Sequence, residues 1–170
     1  MNDVALSSAS AISDASAVSE TEARGHQAAY TYALDEGPLS DWPKFFTDPC
    51  LYRITTRMNE QQNLPLSIML CDNQAMLYDR VEAVEKANIF EPHFYRHILS
   101  DSRVLAADRH ALKIETSFIC VRSMLDGRMD LFTAGKYVDE LVKRDGRCLF
   151  SSKTVVLDHS RIDTLIAIPL

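Results

Sequence analysis

Apolar positions along the chain change period near its middle: helical spacing dominates the first half, and alternation dominates the second. Ser19 and Glu22 have the spacing of a capping box, Ala23, Tyr30 and Leu34 lie on or near one face of the helix that follows, and Gly37-Pro38 stops it. Leu39, Trp42, Phe45 and Phe46 predict a short second helix with Pro43 tolerated in its first turn. Cys50 to Thr56 alternates as a strand, and the apolar stretch from Leu64 to Leu70 is interrupted by Pro65, which points to a sheet edge or a strand start. From Asp72, a candidate cap, the period returns to helix: Leu77, Val81 and Val84 form an i, i+4, i+7 stripe, and Glu82 with Lys86 supports it as an ion pair.

The remainder reads as sheet. Leu112, Ile114, Thr116, Phe118 and Cys120 share one face of a strand, and Asp126-Gly127 then supplies the positive-φ positions of a tight hairpin. Asp145-Gly146 repeats the device, so two turns join three long antiparallel strands into a meander, with His97 to Leu105 predicted as a fourth strand. Gly135, inside the middle strand, marks a bulge or bend. Helices first and a meander after them predict an α+β domain with the helices on one face of a curved antiparallel sheet.

Composition narrows the function classes. The chain has 170 residues, 46% of them apolar, enough to bury the core of one domain. A formal charge of −6 and the lack of any basic run argue against nucleic acid or a lipid surface as partner. Residues 1–19 are rich in Ser and Ala and are expected to form a flexible tail, leaving 20–170 as the single folded domain. With Asp3 and Asp14 and no apolar core that tail is not a secretory signal, and no stretch approaches the roughly 20 apolar residues of a membrane span, so a soluble cytoplasmic protein is expected. Cys50, Cys71, Cys120 and Cys148 stand far apart and read as buried free thiols.

Candidate chemistry is sparse. A Rieske cluster needs two Cys and two His on neighbouring loops, and none of His26, His93, His97, His110 and His159 accompanies a Cys pair. Glu91, His93 and His97 supply the donor types of a non-haem iron site, but a four-residue His spacing shares a face only on a helix, which Pro92 and the following Ile-Leu-Ser oppose. A cofactor-free acid/base site in the mouth of the sheet would draw on Asp35, Tyr52, His97 and Tyr137. A small-ligand binding module of the same fold is a further alternative. The nearly continuous apolar run from Thr164 to Leu170 is expected to dock, either on a neighbouring chain or in the sheet mouth.

Four segments carry a family likeness: YALDEGPLSDWPKFFTDPCLYRITTR, LPLSIMLCDNQAMLYDRV, FYRHILSDSRVL and FTAGKYVDELVKRDGRCLFSSKTVVLD. From about Glu20 to Leu170 their order and spacing resemble the small (β) subunits of Rieske-type aromatic-ring-hydroxylating oxygenases. The resemblance implies the cone-shaped fold shared with nuclear transport factor 2 and ketosteroid isomerase. It implies a partner α subunit that holds the Rieske two-iron cluster and the mononuclear iron, an α3β3 heterohexamer with contacts between β subunits, and electrons from a reductase, sometimes through a ferredoxin. On this reading the chain carries no catalytic residue, cofactor or metal ligand of its own and serves assembly. Arg80, Arg96, His97, Leu165, Ile168 and Leu170 are its candidate subunit-interface residues. The Trp-Pro-Lys-Phe-Phe-Thr segment and the stretch from Asn63 to Met76 are nearest to members that act on aromatic carboxylates such as salicylate, anthranilate and terephthalate.

Overall fold

The structure, a computed structural model, describes residues 17–86, 91–159, 166 and 168–170. Its elements run α1 (Glu20–Glu36), a 3-10 helix (Leu39–Phe45), β1 (Phe46–Thr56), α2 (Arg57–Gln61), β2 (Met69–Cys71), α3 (Gln74–Lys86), β3 (His93–Leu99), β4 (Arg103–Ala107), β5 (Ala111–Met124), β6 (Met129–Arg144) and β7 (Arg147–Leu157). The strands form a curved, unclosed sheet in the order β2-β1-β7-β6-β5-β3, with β4 also pairing β5. All pairings are antiparallel except that of β1 with β7, which is parallel.

Local chemistry accounts for most boundaries. Ser19 and Glu22 form the reciprocal capping box of α1, and Gly37 closes the helix at its other end. The stripe of Leu77, Val81 and Val84 is buried as expected, and Lys86 pairs with Glu82 at 2.6 Å. The cap of α3 is Asn73 rather than Asp72: its Oδ1 accepts from the backbone N–H of Met76 at 2.9 Å, while Asp72 holds the Asn73 amide. The hairpin turns carry positive φ at Gly127, Asp145 and Gly146.

Three readings change. The predicted strand from His97 to Leu105 is two strands, β3 and β4, separated at Ser100, whose N–H donates to the Ser117 carbonyl at 2.9 Å. The single turn α2 was absent from the periodicity; Thr56 Oγ1 caps it by accepting from the Asn59 N–H at 3.2 Å. Gly135 marks a close approach rather than a bulge: a Cβ there would lie 2.2 Å from the Val156 carbonyl oxygen, whereas the register shifts of β6 fall elsewhere.

Helix α1, the 3-10 helix and α3 cover the inner face of the sheet. The core lies between these layers, built from Trp42, Tyr30, Phe46, Tyr52, Leu77, Ile114, Tyr137, Leu141, Phe150 and Leu157. Among the described residues no helix is long and apolar enough to cross a membrane.

Candidate functional site

Inward-facing residues of successive strands fall into rows. His97 of β3 lies opposite Cys120 of β5 and Thr133 of β6, whereas Tyr137 and Asp139 of β6 lie opposite Val155 and Lys153 of β7. Two polar clusters follow from this register, one where α1 ends and one deeper in the core.

At the end of α1, the Asp35 carboxylate meets His97 twice. The His97 ring donates from Nδ1 to Oδ1 at 2.6 Å, and its backbone N–H donates to Oδ2 at 2.8 Å. A carboxylate that fixes Nδ1–H leaves Nε2 as the lone-pair nitrogen, which is the arrangement of a general base oriented by an acid. Tyr137, stacked on Phe118 with centroids 4.3 Å apart, points a second unpartnered polar atom into the core. Of the four acid/base candidates the structure thus joins Asp35 to His97. Yet His97 Nε2 and Tyr137 Oη have no solvent-accessible surface, so no substrate atom has room beside either.

Deeper in the core, Lys153 and Asp139 form an ion pair at 3.0 Å with both side chains fully buried. The Lys153 ammonium also contacts Gln27 Oε1 at 3.3 Å and sits 3.7 Å from the Tyr137 ring centroid, with the rings of Tyr30 and Phe150 slightly farther away. Burial drives the lysine pKa down to about 8 although Asp139 opposes the shift, and burial raises that of Asp139 although Lys153 opposes it. This pair was missed in the sequence, although strand parity carries its signal: Asp139 alternates with Tyr137 and Leu141, and Lys153 with Val155 and Leu157.

The apolar end of the sequence docks inside. Leu170 is fully buried, and its oxygen accepts from Tyr30 Oη at 2.8 Å and from Tyr52 Oη at 3.1 Å. The Leu170 N–H donates back to Tyr52 at 3.0 Å, and the Trp42 indole N–H donates to Tyr30 Oη at 3.2 Å. Arg80, on α3, donates from Nη2 to the Ile166 carbonyl at 2.7 Å. The described part of this segment therefore docks within the chain's own fold.

Of the predicted interface residues, Arg80, His97 and Leu170 are engaged within the chain, and Ile168 is half-buried against the core. Arg96 points outward from β3 and pairs with Glu36 at 2.5 Å. Leu165 lies outside the described residues. The outer face of the same strands exposes Phe94 and Ile98 on β3, Ile119 on β5, and Met129 and Leu131 on β6, with register pairs Ile98 to Ile119 and Val121 to Leu131.

The donor set does not fit an iron site. Cys50, Cys71, Cys120 and Cys148 sit on four different strands, and burial pushes the thiols of Cys50 and Cys148 up to about 11 and that of Cys120 to about 12, away from the thiolate that iron requires. His93 and His97 share a strand, where four residues span roughly 13 Å, too far for one metal. Among the described residues no three His, Cys, Asp or Glu side chains are grouped as metal ligands.

The sequence profile of a family described as "Ring hydroxylating beta subunit" matches residues 29–164. The chain is 36% identical over 151 residues to the terephthalate 1,2-dioxygenase terminal oxygenase component subunit beta 1 of a Comamonas species, spanning 89% of this chain and 98% of that one. It is 36% identical over 144 residues to the anthranilate 1,2-dioxygenase small subunit of Burkholderia cepacia, spanning 85% and 89%. A solved structure from Novosphingobium aromaticivorans, described as an aromatic-ring-hydroxylating dioxygenase β subunit, superposes with a TM-score of 0.81 at 35% identity, covering 89% of this chain and 96% of that one.

Proposed function

Because the chain belongs to the ring-hydroxylating β-subunit family, we propose that it assembles with a larger α subunit into an α3β3 oxygenase whose Rieske cluster and mononuclear iron are held by that partner. The observation that carries this reading is the family match across residues 29–164, with relatives that are small subunits of terminal oxygenases. The β chain contributes architecture: its concave face is filled by its own helices and by Leu170, and its acid/base pair has no space for a substrate. The relatives' names support aromatic carboxylates as the substrate class of the complex; a cytoplasmic setting and electrons from a reductase, with or without a ferredoxin, belong to the same proposal. Arg96 and the outward apolar side chains of β3, β5 and β6 are our candidates for the surface that meets another subunit, since aromatic and aliphatic groups around an Arg suit such a contact.

The test is co-production of the chain with the large subunit from the same host, read by native mass, iron content and consumption of terephthalate, anthranilate and benzoate. A heterohexamer with iron in proportion to its large subunit and activity on one of these acids is expected. A β chain that stays apart from every large subunit offered overturns the proposal.

A further inference from the structure

The inner end of the sheet holds a feature that assembly alone does not require. Both Tyr30 and Tyr52 direct their single hydroxyl proton at one acceptor, the Leu170 oxygen. Two convergent O–H donors on one oxygen, closed off from water, form the type of cradle that recognises a carboxylate, a phenolate or a polarised carbonyl. Desolvation raises the pKa of both tyrosines well above the usual phenol value, so both keep their protons.

The walls of this cradle are braced without the occupant. Trp42 packs edge-on against Tyr52 at 4.9 Å between centroids, Phe46 packs edge-on against Tyr52 at 5.9 Å, and Tyr30 packs edge-on against Phe150 at 5.4 Å. The Trp42 N–H donates to the Tyr30 hydroxyl and helps to fix its position. Arg80 supplies a third donor at the rim, to the Ile166 carbonyl.

We propose that this cradle is a small-ligand site occupied by the chain's own Leu170, which acts as an internal ligand: it supplies the apolar body and the accepting oxygen that a free ligand would otherwise bring. The site would take a small planar or branched apolar molecule with one strongly accepting oxygen, as an aryl carboxylate has. Withdrawing Leu170 leaves two hydroxyl donors without their acceptor and an aromatic-walled void of leucine size; water can satisfy the donors, and a ligand with an apolar body and an accepting oxygen satisfies both the donors and the walls.

The test uses the full chain and a variant ending at Asp163, each titrated with 4-fluorobenzoate and with fluorobenzene, followed by fluorine NMR and by melting temperature. The full chain is expected to bind neither probe. The shortened chain is expected to bind 4-fluorobenzoate saturably, with affinity falling about tenfold when Tyr52→Phe removes one donor, while fluorobenzene binding is little affected by that change. If the shortened chain does not fold alone, a synthetic peptide of residues 164–170 added in trans is expected to restore its melting transition, and 4-fluorobenzoate to compete with the peptide. A folded shortened chain that binds neither probe overturns the proposal. So does binding indifferent to Tyr52→Phe, or an unfolded chain that neither peptide nor probe restores. Subunit assembly is read separately by native mass, so failure of this site leaves the assembly reading untouched.

Discussion

The two faces of one sheet differ in what they do with polar and apolar groups. On the inner face, Lys153 with Asp139, His97 with Asp35, and Tyr30 and Tyr52 with Leu170 are hydrogen-bonded within the chain and closed to solvent. On the outer face, Phe94, Ile98, Ile119, Met129 and Leu131 are left exposed, although a soluble surface usually scatters such side chains singly. Residues one position apart on β3 belong to opposite regimes: Arg96 and Ile98 face out, Tyr95 and His97 face in. The inner face is occupied by the chain's own packing, Leu170 in the Tyr30 and Tyr52 cradle included, and the apolar side chains left open to another subunit are outside.

If the inner face is structural, its buried charges should dominate stability. Lys153→Met leaves Asp139 buried with its main partner gone, and such an orphaned charge costs about 3–5 kcal/mol. Adding Asp139→Leu should recover most of that loss, because the remaining pocket is lined by the rings of Tyr30, Tyr137 and Phe150. Chemical denaturation of the two variants checks this. A double variant as unstable as the single would show that the ion pair itself, rather than the avoidance of a lone charge, holds the core.

His26, on the inner side of α1, sharpens the comparison through pH. Burial lowers its pKa to about 4 from 6.5, helped by the fields of Lys153 and Arg147 and opposed by its contact with the Phe45 carbonyl. The unfolded chain takes up this proton near pH 6.5 and the folded chain only near pH 4. Stability from His26 is therefore complete above pH 6.5 and is lost as pH falls toward 4. Between pH 7 and 4.5 the His26→Gln variant should lose about 2–3 kcal/mol less than the parent chain in denaturant titrations.

How much of this was legible in the sequence depended on distance along the chain. The Ser19 and Glu22 capping box, the α3 stripe and both hairpin turns are local signals, and each stands where the pattern put it. Helix α2 is one turn long, too short for a period to show, and β4 is exposed along its whole length, so it has no alternation to read. The clusters are long-range: Asp35 and His97 are 62 positions apart, and Tyr30 and Leu170 are 140 apart. Types alone put Asp35, Tyr52, His97 and Tyr137 on one shortlist. Register was needed to show that Asp35 and His97 touch, that Tyr52 holds Leu170 and that Tyr137 stands closed in the core.

Adjacent residues on β3 offer a smaller but cleaner contrast. His97→Ala removes the ring donor to a nearly buried Asp35 carboxylate and should cost about 1–3 kcal/mol, because a buried acceptor loses its charge-assisted partner. Arg96→Ala removes an exposed pair with Glu36 and should change the stability of the chain by about 0.5 kcal/mol or less. Melting curves of the two variants separate an inner from an outer role at one residue's distance. Equal losses would mean that the Glu36 pair fastens α1 to the sheet as firmly as the Asp35 contact does.

The smallest effect on the isolated chain belongs to the outer apolar residues, and there the consequence for assembly should be greatest. Ile98 and Leu131 are 55% and 65% exposed, so replacing both with lysine removes little packing and should leave stability within about 1 kcal/mol of the parent chain. In a complex that buries this face, two lysines would have to be desolvated without partners, a change that weakens association at least tenfold. Native mass of the co-produced subunits distinguishes the cases. A doubly substituted chain that melts normally yet no longer enters the oxygenase would place the outer face at a subunit contact. Assembly in full yield would mean that this face looks into solvent and that the contacts lie at the helices or at the β2 edge, where Leu66, Ile68 and Leu70 are also exposed.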